Sequence, residues 1–125
     1  MSLYLVDTNV FSKIFAYDLA VKTFVENLDA VIDATVYIEC LQGSKSNHEK
    51  RVIEKYINEF PLLPITPVTC ARAIGLIRDY SNSHGLLLPD SLIAATAIEN
   101  DLTLLTYNAS DFKFITGLNF EVPAI

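Results

Sequence analysis

Basic residues are scarce in this sequence. Nine Lys and Arg stand against fifteen Asp and Glu, giving a net charge of −6 and a pI near 4.7. That balance excludes a protein that coats nucleic acid by bulk electrostatics. It leaves room for a nuclease, because carboxylates gathered to hold divalent cations make the metal-free chain acidic, and the ions invert the local sign. Long apolar runs are also missing. None approaches the roughly 20 residues of a membrane span, so no membrane role is expected. The first lysine is Lys13, behind Asp7, so the N-terminus lacks the basic-then-apolar order of a secretory signal, and a cytoplasmic location is expected. Cysteine is limited to Cys40 and Cys70, in no CxxC pair and no Cys/His cluster. They read as two reduced, mostly buried thiols. His48 and His84 fall in polar stretches without a partner at ligand spacing and read as surface residues of loops. No repeat, linker or low-complexity segment interrupts the chain.

What is present is enough for a core. The 125 residues are 51% hydrophobic and 19% charged, which excludes disorder and fits one domain over residues 1–125. A chain of this size buries roughly two-thirds of its unfolded surface and needs no disulfide or metal staple.

The apolar pattern alternates between short runs and helical stripes. Leu3–Val6 is a four-residue run stopped by Asp7, with Thr8 and Asn9 behind it, and reads as a buried strand feeding a helix. Phe11, Ile14, Phe15 and Leu19 predict a first helix; Val21, Phe24, Val25 and Leu28 predict a second, with the turn at Tyr17–Asp18. Ala30–Ile32 reads as the second strand, with Asp33 as N-cap of a helix over Thr35–Leu41 that Gly43 closes. Lys45–His48 reads as a loop and Glu49–Phe60 as an amphipathic helix. Leu62–Ile65 is a third strand. Pro67 and Pro89 mark the starts of two further helices. Leu102–Thr106 is a fourth strand, Phe112–Ile115 a helical turn, and Phe120–Val122 a fifth strand. Apolar strands alternating with helices predict an α/β fold, a three-layer α/β/α sandwich around a parallel sheet of four or five strands.

Four acids share one setting, at a strand tip or in the helix that follows. Asp7 follows the first strand. Glu39 lies among apolar neighbours in the helix after the second. Asp90 stands at a helix start behind Pro89, and Asp111 lies just past the fourth strand. Parallel strands would bring the first two and Asp111 to one sheet edge, and Asp90 joins if the loop Ser83–Leu88 returns its helix there. Each acid alone has a plain alternative as a cap or helix-dipole partner. Together they would repel unless protons or divalent cations offset the charge. An all-oxygen set suits Mg²⁺ or Mn²⁺, ions that activate water and stabilise a leaving oxygen in phosphodiester hydrolysis.

These stretches together resemble the PIN-domain family, and its VapC-like toxin branch in particular. The resemblance spans essentially the whole chain. It rests on Leu5-Val6-Asp7-Thr8-Asn9, on Glu39 with Leu41 and Gly43, on Pro89-Asp90-Ser91-Leu92-Ile93-Ala94-Ala95-Thr96-Ala97, and on Leu105-Thr106-Tyr107-Asn108-Ala109-Ser110-Asp111-Phe112. Each motif alone is weak; four in order are specific. The resemblance implies a Mg²⁺- or Mn²⁺-dependent ribonuclease in which Asp7, Glu39 and Asp90 match the acidic triad and Asp111 the fourth acid. Asn108 falls at a position that is acidic in some members, so the fourth ligand stays open between Asn108 and Asp111. Thr8 and Asn9 match residues that support the site. The resemblance also implies a homodimer and a cognate antitoxin protein as partner. Asp33 departs from it, standing where many members carry Ser or Thr.

The expected function is an endoribonuclease, the toxin of a toxin–antitoxin pair. It would hydrolyse RNA with a metal-activated water and leave a 5′-phosphate and a 3′-hydroxyl. Lys45, Lys50, Arg51 and Arg72 are the candidates for phosphate contacts. The alternative is a degenerate member of the fold that acts by binding a protein partner. A phosphotransferase or receiver-like domain also needs an acid at the first strand tip. The former wants a second Asp where Asn9 stands, and the latter a Lys where Tyr107-Asn108 stand.

Overall fold

The computed structural model describes residues 3–125. Its centre is a five-stranded, wholly parallel sheet in the order β3-β2-β1-β4-β5. The strands are β1 (Tyr4–Val6), β2 (Ala30–Asp33), β3 (Leu62–Leu63), β4 (Thr103–Leu105) and β5 (Asn119–Glu121). Leu5, Val6, Ile32, Leu104 and Leu105 are all fully buried. Consecutive strand residues point to opposite faces, so burial of both means that both faces of the sheet are covered.

Six helices do the covering: α1 (Thr8–Phe15), α2 (Leu19–Glu26), α3 (Ala34–Gln42), α4 (Asn47–Ile57), α5 (Pro67–His84) and α6 (Leu88–Glu99). From β1 the chain steps outward through β2 to β3, then returns across the sheet to β4 and β5. Right-handed crossovers place α1–α4 on one face and α5 and α6 on the other. The two faces are packed differently. On the first, Phe11, Phe15, Tyr56 and Phe60 form an edge-to-face cluster with ring centroids 5.3–6.4 Å apart, joining α1 to α4. On the second, α6 is buried nearly all round, through Ser91, Ile93, Ala94, Ala95, Thr96 and Ala97. Small side chains let it lie close to its neighbours. The reversal of direction beside β1 makes the edge between β1 and β4 a topological switch point, where open α/β sheets leave a crevice.

The fold class and the strands match expectation, and the differences are local. Helix α4 begins at Asn47 with Ser46 as N-cap, its hydroxyl accepting from the Glu49 amide at 3.0 Å. A polar composition therefore conceals a helix start, and His48 is helical rather than in a loop. His84 is the last residue of α5, stacked on Phe114 at 4.3 Å. The short helical element falls at Ala109–Asp111, and Phe112–Ile115 follows it as a turn closed by the Ile115 amide donating to the Phe112 carbonyl at 3.0 Å. Gly43 does end α3, but at φ −76°, so no left-handed cap is formed there. The left-handed cap is Gly85 at φ +71°, turning α5 toward α6. Cys40 is buried, but Cys70 is exposed: it lies on the outward side of α5, between exposed Val68 and Ala71. No helix among the described residues is long and apolar enough to cross a membrane.

Candidate active site

The site is built on the tip of β1. Asp7 follows Val6 directly, caps α1 and is 5% exposed. Its backbone amide still belongs to the sheet, donating to the Leu105 carbonyl at 3.0 Å. One carboxylate oxygen, Oδ1, accepts from the Thr8 amide at 2.8 Å. The other, Oδ2, accepts from the Thr106 hydroxyl at 2.8 Å and from Asn9 Nδ2 at 3.0 Å. The carboxylate is thus fixed from its own helix and from the end of β4. Burial still pushes its pKa up, with the Glu39 charge adding, while these hydrogen bonds oppose the rise.

Thr106 is the residue the sequence reading passed over. It is fully buried. Its single oxygen donates to Asp7 and accepts from Asn9 Nδ2 at 3.1 Å and the Asn108 amide at 3.0 Å. Asn9 completes the lattice by accepting from the Tyr107 amide at 3.0 Å. One signal was available: a hydroxyl residue directly after the apolar pair Leu104-Leu105, at the end of a strand.

Glu39 arrives from α3. It is half-buried, and its Oε1 accepts from the Thr8 hydroxyl at 2.7 Å. Thr8 therefore links Asp7 to Glu39, giving its amide to one and its hydroxyl to the other. Asp90 is half-buried in the first turn of α6. Burial pushes its pKa up to about 6, reinforced by the charges of Asp7, Asp111 and Glu39. Asp111 is exposed in the 3-10 turn. The charges of Asp7, Glu39 and Asp111 thus all reach Asp90, and that of Glu39 reaches Asp7. Asn108 enters the hydrogen-bonded lattice through its backbone amide, with its side chain exposed.

Asp33 is a buried neighbour of this group. The β1–β2 register, Leu5 with Val31, puts it level with Asp7 on the next strand. Its Oδ1 caps the Val36 amide at 2.8 Å and its Oδ2 accepts from the Thr96 hydroxyl at 3.2 Å. It is fully buried, and burial raises its pKa, with Asp7 adding to the rise.

A cleft of about 830 Å³ reaches the site at Glu39 alone of the four acids, lined also by Thr8, Phe15, Lys45, Ile53 and Tyr56 among others. Of the sequence-nominated basic residues only Lys45 lines it. Arg72 lies instead in a shallow groove on α5 with Val68, Gly75 and Asp79.

The donor chemistry fits a hard divalent cation. The candidate donors are carboxylate and amide oxygens, as Mg²⁺ and Mn²⁺ require. No basic side chain neutralises them: the ion pair among the described residues is Lys22–Glu26, at 3.6 Å on α2. Their spacing is open, however, since no three acidic, His or Cys side chains among the described residues converge to a ligand set.

Comparison with known proteins bears on the family and the fold. Ribonuclease VapC10 of Mycobacterium tuberculosis (strain H37Rv) is 37% identical over 86 residues, covering 66% of this chain and 65% of that protein, just under two thirds of its length. A toxin–antitoxin complex from Klebsiella pneumoniae contains a chain of the same fold, with a TM-score of 0.79, 26% identity and 98% of both chains covered. DNA-bound VapBC from Salmonella typhimurium shares the fold at a TM-score of 0.78 and 21% identity, again over 98% of both chains. The PIN domain family profile matches residues 4–116, so the chain belongs to the PIN domain family.

Proposed function

We propose that this chain is a divalent-metal-dependent endoribonuclease, with Asp7, Glu39, Asp90 and Asp111 as its metal-holding acids. The observation that carries the reading is the un-neutralised group of carboxylates at the switch point, where burial, with the charges of Asp7, Asp111 and Glu39 adding, pushes the Asp90 pKa up to about 6. A cation bound there would supply an activated water and charge neutralisation on the scissile phosphate. The protein's own contribution is rigidity. Thr106, Asn9 and the Thr8 amide fix Asp7, and the Thr8 hydroxyl fixes Glu39. Carboxylates so oriented hold a cation with less reorganisation. Asn108 stays the rival to Asp111 as fourth ligand, and Asp111 is preferred because it brings an anionic carboxylate, the donor that hard divalent cations favour.

Toxin of a toxin–antitoxin pair is the corresponding biological role, supported by the curated relative and by the Klebsiella complex. The partner would be an antitoxin protein, and the cleft beside Glu39 is large enough for a side-chain-bearing segment of it. A homodimer belongs to the same proposal and is read by light scattering on the purified chain.

Cleavage of a structured RNA with Mg²⁺ or Mn²⁺, against Asp7→Asn, tests the activity. Wild type should cut and the variant should lose at least about a hundredfold, the scale expected when one ligand to a catalytic ion is lost. Equal cutting by both would refute the assignment. One observation favours a second reading, a binding module with a degenerate site: the acids do not already converge to ligand spacing. Absence of Mn²⁺ binding at millimolar metal would select that reading.

A further inference from the structure

The geometry points to Lys13, held over the ring of Tyr107 at the rim of the acidic site, as the residue that grips a phosphate of the RNA strand next to the one cleaved. This rests on the ribonuclease reading and goes beyond it, because a polyanion approaching uncompensated carboxylates needs a cation placed at their edge.

Three observations place Lys13 there. It lies four residues beyond Asn9 on α1, so the two share one helix face, one turn apart. Asn9 is bonded to Asp7 and to the Tyr107 amide, which ties that face to the chain leaving β4. The Lys13 ammonium sits 4.9 Å from the centroid of the Tyr107 ring.

The nature of that contact matters most. An aromatic face attracts a cation without neutralising it. Lys13 is exposed, and the ion pair among the described residues is Lys22–Glu26. The acid whose charge reaches the Tyr107 hydroxyl is Asp18, and its carboxylate is engaged with the Val21 amide at 3.2 Å. Lys13 is therefore restrained in position, with no carboxylate within 4.0 Å among the described residues. Arg72, by contrast, lies in the half of α5 that meets the far end of α6, where Thr69 donates to Glu99 at 2.7 Å. That end is opposite Asp90. Lys13 also occupies the last turn of α1, where its charge complements the C-terminal dipole.

The test is cleavage of a single-stranded RNA by the full chain with Mn²⁺ across a KCl series. The variants are Lys13→Met, Lys13→Arg, Tyr107→Leu and, as a distant control, Arg72→Met. Loss of one phosphate contact on a single strand makes the negative slope of log(kcat/KM) against log[KCl] shallower by about 0.7. Lys13→Met should show that change, with KM raised several-fold and kcat within about twofold. Lys13→Arg should restore both, Tyr107→Leu should raise KM, and Arg72→Met should match wild type. A wild-type slope and KM in Lys13→Met would overturn the inference while leaving the ribonuclease reading intact, and so would a fall in kcat alone. No cleavage by the wild type would overturn the ribonuclease reading instead. If that protein still binds RNA, anisotropy over the same salt series reads the Lys13 slope directly, and an unchanged slope overturns the inference there too. If it neither cuts nor binds, both fail.

Discussion

Thr106 carries more of the site than its size suggests, because one oxygen serves three partners at once. Replacing it by Val keeps the shape and removes every one of these bonds. The Asn108 amide then lacks its acceptor, and Asp7 Oδ2 keeps only Asn9. Leaving such groups unpaired costs about 1–3 kcal/mol, so Thr106→Val should melt several degrees lower. The Thr106 hydrogen bond also lowers the Asp7 pKa. Without it the carboxyl keeps its proton to higher pH, and the rise of activity with pH should shift upward. A pH–rate profile beside thermal unfolding checks both, and a lower melting temperature with an unmoved profile would separate folding from chemistry. Asp7 itself was legible in the sequence as a charge that ends an apolar run. Thr106 was not, because a threonine at a strand end reads as an ordinary polar stop until the neighbouring strand is known.

At the level of elements, Asp33 joins the two helices that bring Glu39 and Asp90. It caps α3 and accepts from Thr96 of α6. The single Thr96 hydroxyl proton has a second acceptor in the Leu92 carbonyl, at 2.9 Å, so the hydroxyl keeps a partner if Asp33 is changed. Asp33→Asn retains an acceptor for the Val36 amide, offers an amide to Thr96 and removes a buried charge. It should leave stability at pH 8 unchanged or raised. Asp33→Ala loses the cap and should cost about 0.5–2 kcal/mol. Urea midpoints at pH 8 read the difference, and equal losses in both variants would deny the cap its role. The cap was legible from Asp33 at a strand end before a helical stripe. Its link to α6 was not, since 63 residues separate Asp33 from Thr96. Helix α4 shows the complementary failure: Ser46 is a competent cap, but the polar residues after it hid the first turn.

For the whole molecule, the acids make stability depend on pH in an unusual sense. Carboxyls in the unfolded chain ionise near pH 4. In the folded chain Asp7, Asp33 and Asp90 all hold their protons to higher pH, Asp90 to about 6. Between those values the folded state binds more protons than the unfolded state, so stability falls as pH rises through the window. In chelator the melting temperature should therefore be higher near pH 5 than near pH 8. A divalent cation that binds the folded site should recover the loss at pH 8, in proportion to RT ln(1 + [L]/Kd). Mn²⁺ should thus raise the melting point of wild type at pH 8 and do little for Asp7→Asn. A melting point that climbs steadily from pH 5 to pH 8 in chelator would contradict the assigned shifts.

The sequence by itself determined the class of fold. Short apolar runs alternating with amphipathic stripes admit few arrangements other than a covered parallel sheet, and local chemistry at Asp7, Asp33 and Pro67 sets where helices begin. It also nominated the acids, because a carboxylate at a strand tip is visible in one dimension. Only the tertiary structure decided which groups face one another. The strand order β3-β2-β1-β4-β5 puts β4 beside β1, and from that adjacency come the Thr106–Asp7 bond, the tie from Asn9 to Tyr107, and Lys13 over the Tyr107 ring. Electrostatic coupling and hydrogen bonding depend on distances of a few ångströms. Residues about a hundred positions apart acquire such distances only when the sheet closes.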